Sequence, residues 1–100
     1  MAPDPVQVDP KHYSVELEND RMQVVRIRYG AREKSVMHGH PPGVAVFLTD
    51  GRFKFTYPDG RTEDIEGKAG QVLSFEEPWE HLPENLNATG FEAIYVGLKR

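Results

Sequence analysis

Three of the four histidines in this 100-residue chain fall into a pattern that can hold a metal ion. His38 and His40 flank a single glycine, and His81 lies 41 residues beyond His40. On an extended strand side chains alternate, so residues i and i+2 share a face. A third imidazole from a later strand then completes a facial set of nitrogen donors. Imidazole is the commonest metal ligand, and three protein donors leave positions open for water or substrate. The chemistry on offer is that of an open mononuclear metal centre, with the metal as the main electrophile. No residue pair announces a nucleophile with its base. The chain has no cysteine, which excludes disulfides, thiolate zinc sites and cysteine nucleophiles.

The elements that must position these donors are short. After residue 11 the chain breaks into segments rich in Val, Ile, Phe and Tyr, with turn residues about every ten positions, the all-β signal. The spacing predicts strands at 13–17, 22–29, 34–38, 43–49, 52–57, 62–65, 71–76 and 90–98. Phe53, Phe55 and Tyr57 alternate with Arg52, Lys54 and Thr56, as half-buried strands do. Val25, Ile27 and Tyr29 alternate in the same way with Arg26 and Arg28, and Leu73 and Phe75 with Val72 and Ser74. Asp50-Gly51 and Asp59-Gly60 are both hairpin-type dipeptides. No apolar stripe of helical period runs longer than a turn. Residues 1–11, with three prolines, read as a flexible arm; residues 12–100 read as one domain able to bury a continuous core. The strands predict an antiparallel sandwich or small barrel.

The stretch from Gly30 to Gly51, with His38-Gly39-His40 inside it, resembles the first motif of the cupins. The stretch from Gly70 to Asn85 resembles the second: His81 lies eleven residues after Gly70, and Asn85 four residues after His81. The resemblance implies a single-domain jelly roll, a double-stranded antiparallel β-sandwich or barrel, with His38, His40 and His81 as metal ligands. In two respects the sequence departs from the pattern. The glutamate that usually serves as fourth ligand would fall at Val44 or Ala45, neither of which can bind a metal, and the second motif's internal proline and glycine would fall at Glu76 and Pro78. Without that carboxylate the ion keeps its full double charge, which favours an anionic or chelating ligand. Cupins with three histidines and no acid include thiol dioxygenases and certain β-diketone-cleaving dioxygenases. The resemblance therefore points to a dioxygenase-like, metal-dependent oxidoreductase acting on a small chelating molecule such as a thiol, diketone or hydroxy acid. Iron(II) is the expected ion where dioxygen is activated; manganese, nickel, copper and zinc also suit such donors. Glu76, Glu80 and Glu84 stand as replacement ligands or outer partners, with Glu80 expected to point away from His81.

Two other readings compete. One is a non-catalytic module that binds or senses a small ligand in the barrel mouth. The other is a metal-free relic whose histidines bond each other and water. A true site needs neutral imidazoles, so metal affinity should collapse as pH falls through ~6. His12 reads as solvated or packed at an edge, and Asn85 as a side chain that fixes the loop after His81. Arg26 and Arg28 read as solvated strand faces, unless one points into the barrel to hold a substrate carboxylate. Phe47, Phe53, Phe55, Phe75, Trp79 and Tyr95 read as core, with one or two lining the pocket. A net charge of −4 without a basic stripe argues against nucleic acid as a partner. No apolar run approaches the ~18 residues that cross a bilayer, and the chain starts without an apolar leader. The expectation is a soluble cytoplasmic protein; the alternative is an exported one whose signal peptide had been removed. Open sheet edges, and the habit of small cupins, point to a homodimer.

Overall fold

The computed structural model describes residues 3–99. Met1 and Ala2, the first two residues of the expected arm, and Arg100 lie outside the described residues. One turn of helix, α1 (Pro5–Val8), precedes nine strands: β1 (Tyr13–Glu18), β2 (Met22–Tyr29), β3 (His38–His40), β4 (Gly43–Phe47), β5 (Gly51–Thr56), β6 (Thr62–Gly67), β7 (Val72–Phe75), β8 (Trp79–Asn85) and β9 (Phe91–Leu98). They form two antiparallel sheets, in the orders β1-β2-β9-β4-β7 and β3-β8-β5-β6. Alternation decides what faces the interior. On β9, Phe91, Ala93, Tyr95 and Gly97 are buried and the residues between them are not. Tyr13, Val25, Tyr29, Phe47, Phe53, Phe91 and Ala93 make the core, which is mostly aromatic.

The alternating segments on β2, β5 and β7 fold as their patterns predict. Two other regions differ from expectation. The segment 34–38 is a strand only from His38 onward; residues 34–37 make a single isolated bridge, between Lys34 and Glu84. Residues 79–85, which no pattern marked as a strand, form β8 in the centre of the four-stranded sheet. Pro83 hides that strand, because proline in a central strand removes a ladder donor. Here the Pro83 carbonyl accepts from Ser35 N at 3.0 Å, so the missing N–H falls on the side where β3 has already given way to irregular chain. The ladder to β5 is untouched.

The two Asp-Gly pairs also part company. Asp59-Gly60 turns the β5–β6 hairpin, with Gly60 at φ 91°. Asp50-Gly51 does not make a hairpin, since β4 pairs only with β7 and β9 and β5 only with β6 and β8. It carries the chain from one sheet to the other. Gly51 is required there for space: a Cβ would lie 2.4 Å from the Phe91 ring. Among the described residues, no helix is long and apolar enough to cross a membrane.

Candidate metal centre

β3 and β8 bring the three histidines together. Their register sets His38 directly opposite His81, and His40 opposite Trp79. His38 and His40 therefore share the inward face of β3, and His81 meets them from the inward face of β8. The rings sit almost equidistant, with centroids 4.9 Å apart for His38–His40, 4.9 Å for His38–His81 and 5.0 Å for His40–His81. Their planes cross at 86°, 85° and 71°. One nitrogen from each ring lies within 4.8 Å of the other two. His40 Nε2 lies 3.1 Å from His81 Nε2. Three rings arranged near-perpendicular about one point are what facial coordination needs.

Burial keeps these rings neutral. His38 is 0% exposed, and desolvation pushes its pKa down to about 4, against the smaller opposing pull of the Val36 carbonyl. His40 is pushed to about 3 by desolvation and by the neighbouring His38. His81 lies well below the ordinary value, through desolvation and then His40 and His38. Neutral imidazole is the form that binds metals. His38 Nδ1 donates to the Val36 carbonyl at 2.8 Å, which leaves Nε2 with a lone pair. That Nε2 is buried without a partner, and so is His81 Nδ1. An orphaned buried ring nitrogen costs about 1–3 kcal/mol, a cost that an ion bound at His38 Nε2 would remove there. Two nitrogens bound to one ion at ~2.0–2.1 Å sit about 2.9–3.4 Å apart for angles between octahedral and tetrahedral. The 3.1 Å spacing of His40 and His81 falls inside that range. The residues fit a divalent transition metal.

No model of a known protein family matches the sequence, and no curated protein matches it. Solved structures do. A cupin-domain protein from Bordetella pertussis superposes with a TM-score of 0.81 at 24% identity, covering 88% of this chain and 92% of that one. An RmlC-like cupin with a double-stranded β-helix fold from Methanocaldococcus jannaschii gives 0.66 at 19% identity, over 90% of this chain and 83% of the other. A double-stranded β-helix protein from Klebsiella pneumoniae gives 0.68 at 20% identity, over 86% and 74%. The fold is the cupin fold. The jelly roll and the convergence of His38, His40 and His81 within it stand as the motifs implied.

On the side of His40 and His81 the surroundings in this cupin fold are apolar. A small apolar cavity of about 70 Å³ reaches His40 and His81 and is walled by aromatics, among them Phe53, Phe55 and Phe75. Ala45, one of the two positions where the usual glutamate would stand, lines it too. A much larger outer cleft of about 770 Å³ opens on the other side of the same wall. His40, Trp79 and Tyr95 line both spaces and so form the partition between them. Trp79 stacks on Phe75 at 4.2 Å and donates from Nε1 to the Tyr95 hydroxyl at 3.2 Å, and Tyr95 OH donates to the Pro41 carbonyl. Glu76 and Glu80 line the outer cleft. Glu80 and Glu84 alternate with the buried His81, Pro83 and Asn85 on β8, so both point away from the histidines. Among the described residues, no carboxylate joins the cluster.

The other side chains sort clearly. Asn85 is fully buried: its Nδ2 donates to the Gly30 and Thr89 carbonyls and its Oδ1 accepts from Asn87 N, which fixes the loop after β8. Arg26 bridges Glu16 and Glu92 on the outer sheet face, and Arg28 reaches Glu92, so neither points into the barrel. Of the two expectations for His12, solvated or packed at an edge, the structure excludes the first: it is 5% exposed, stacked at 4.2 Å on Tyr29 and held between Asp9 and Glu33. The start of the chain, expected as an arm, lies against the site: Gly39 N, between the two ligand candidates, donates to the Pro3 carbonyl at 2.9 Å. Asp9, Ser35 and His12 have no motif signal in the sequence and become visible only in space.

Proposed function

We propose that His38, His40 and His81 hold a single divalent transition metal, and that the protein is a metal-dependent, dioxygenase-like oxidoreductase acting on a small chelating molecule. The observation that carries this is the set of three buried, near-perpendicular imidazoles, each with a nitrogen within 4.8 Å of the other two, and with His38 Nε2 left unpartnered. When bound, such an ion supplies Lewis acidity and, if it is iron(II), redox chemistry. The residues do the rest. Ala45 leaves room and charge for an anionic, chelating substrate group where other cupins place their acid. Its aromatic wall makes the smaller cavity almost wholly apolar, and its about 70 Å³ admits only a small group. Trp79 and Tyr95 control passage from the outer cleft.

Metal content by plasma mass spectrometry tests the reading, on tag-free protein purified without chelators, wild type beside His81→Ala. Near-stoichiometric metal that vanishes in the variant is the expected result, and its identity selects among iron, manganese, nickel, copper and zinc. No metal in either protein, even after soaking with all five, would reject it.

The absence of an acid from the cluster favours a second reading, a non-catalytic module that binds or senses a small ligand. Oxygen uptake with thiols, diketones and hydroxy acids separates the two: ligand binding without uptake selects the sensor. We take residues 12–100 as the domain and 1–11 as an arm upon it. We also propose a homodimer, supported by the open edge strand β1 with Val15 and Leu17 exposed. Light scattering at the monomer mass would reject that.

A further inference from the structure

We infer that Asp9, acting through the Ser35 hydroxyl, is a positioning residue for His38, so that the N-terminal arm is part of the metal centre. The inference deepens the metal reading and rests on it. The Asp9 side chain is only 11% exposed, and a carboxylate so placed must be paired to persist. It is paired twice. His12 Nδ1 donates to Asp9 Oδ2 at 2.7 Å, and the Ser35 hydroxyl donates to the same oxygen. With its proton turned to Asp9, Ser35 Oγ presents lone pairs to His38 Nδ1, 3.4 Å away. His38 Nδ1–H, whose main acceptor is the Val36 carbonyl, thereby gains a second and longer contact.

Two effects follow at the far side of the ring. The imidazole is held by its Nδ1 edge, and Tyr13 packs edge-on against it at 4.8 Å, so Nε2 has a fixed aim. A carboxylate one hydroxyl removed from Nδ1–H also strengthens Nε2 as a donor, as outer partners of metal-bound histidines do. The site lacks a carboxylate of its own among the ligands, and Asp9 supplies that negative charge from the second layer. The chain anchors Asp9 from behind. His12 Nε2 faces Glu33 Oε1 at 2.9 Å, Glu33 Oε1 also accepts from Gly30 N, and Lys11 pairs with Glu33 Oε2 at 2.8 Å. The arm is fastened at its other end by the Pro3 carbonyl on Gly39 N, and Pro5 is buried beneath it. A network serving only to dock the arm would not need Ser35 turned between Asp9 and a ligand histidine.

Cobalt(II) titration of the metal-free full chain, read by visible d–d absorption and by competition with a chromophoric chelator, tests this. Asp9→Asn and Ser35→Ala should each weaken cobalt binding by about 10- to 100-fold and shift the d–d bands. The double variant should be no weaker than the worse single, because both changes cut one chain of contacts, and Ser35→Thr should restore affinity and spectrum. Wild-type affinity and spectrum in both Asp9→Asn and Ser35→Ala would overturn the inference while leaving the metal reading intact. If Asp9→Asn fails to fold, Ser35→Ala decides alone, since Ser35 lies outside the arm. Failure of the wild type itself to bind cobalt would overturn the metal reading and this inference with it.

Discussion

The chain buries four histidines and treats them in two opposite ways. His12 has a carboxylate against each ring nitrogen, Asp9 at 2.7 Å and Glu33 at 2.9 Å. His38, His40 and His81 are equally buried, yet no acid touches their rings, two of their nitrogens have no partner, and the nearest polar contact of His81 is another histidine. Both arrangements sit within one small barrel, under the same pressure to satisfy what is buried. The contrast teaches which group is structural. A histidine held between two carboxylates stabilises the fold it sits in, whereas a buried cluster with two unpartnered imidazole nitrogens destabilises it unless something binds them.

The largest effect that can break this contrast is on metal binding. His81→Ala should weaken metal affinity by more than about 100-fold, beyond what loss of an outer partner does, as measured by chelator competition. His12→Leu loosens Asp9 but removes no ring from the cluster, and should weaken affinity by no more than the about 10- to 100-fold expected of an outer partner. Equal affinities in the two variants would place both histidines in the same class.

The next effect is on pH. In the metal-free protein His38 stays neutral down to about 4, where the unfolded chain takes up its proton near 6.5. The unfolded state thus binds more protons in between, so stability is complete above about pH 6.5 and falls as pH drops toward 4. His38 alone accounts for roughly 3 kcal/mol at 1.4 kcal/mol per unit, and His40, pushed to about 3, extends the loss further down. Chemical denaturation across pH 7 to 4 reads this. The same burial corrects the expectation that metal affinity collapses near pH ~6: desolvated imidazoles resist protonation, so uptake should persist to about pH 4–5 and fail below it. Metal loss centred at pH 6.5 would mean that solvent reaches the rings.

Much of this centre was legible in the chain, for a physical reason. Strand alternation puts His38 and His40 on one face whatever the register, and the resemblance of the Gly70–His81–Asn85 spacing to a cupin motif singled out the third histidine of the cluster. The strand that carries His81 was not legible, because Pro83 and the flanking glutamates mimic a loop and only the missing neighbour beside Ser35 makes proline tolerable there. Asp50-Gly51 misled in the opposite sense: the dipeptide has hairpin chemistry, but its glycine serves the Phe91 ring. Asp9, His12, Ser35 and Glu33 are far apart in sequence and carry no period, so their meeting depends on tertiary packing alone.

Replacing histidine by leucine in each group sharpens the contrast without metal. His12→Leu leaves Asp9 and Glu33 facing an apolar side chain, and should cost about 2–4 kcal/mol in the metal-free protein. His81→Leu removes one unsatisfied nitrogen but leaves His40 Nε2 without its 3.1 Å partner, two opposing effects of similar size, and should change stability by less than about 1 kcal/mol. A cost at His81 as large as at His12 would mean that the cluster is a satisfied structural network, and would return the metal-free relic to first place.

The smallest effect concerns the partition. Trp79 is the only tryptophan, with its ring 4.3 Å from His81 and 4.8 Å from His40. Trp79→Phe removes one hydrogen bond, to Tyr95, and should cost only about 0.5–1.5 kcal/mol, while metal stoichiometry stays as in the wild type because the indole donates nothing to the ion. In the wild type, the same proximity makes the indole a reporter: titration with cobalt(II) or copper(II) should quench its fluorescence with saturation at one equivalent, and His81→Ala should abolish that saturable phase. Quenching that is unsaturated and survives in His81→Ala would place the bound ion elsewhere on the surface, and the contrast between the two groups of histidines would lose its functional meaning.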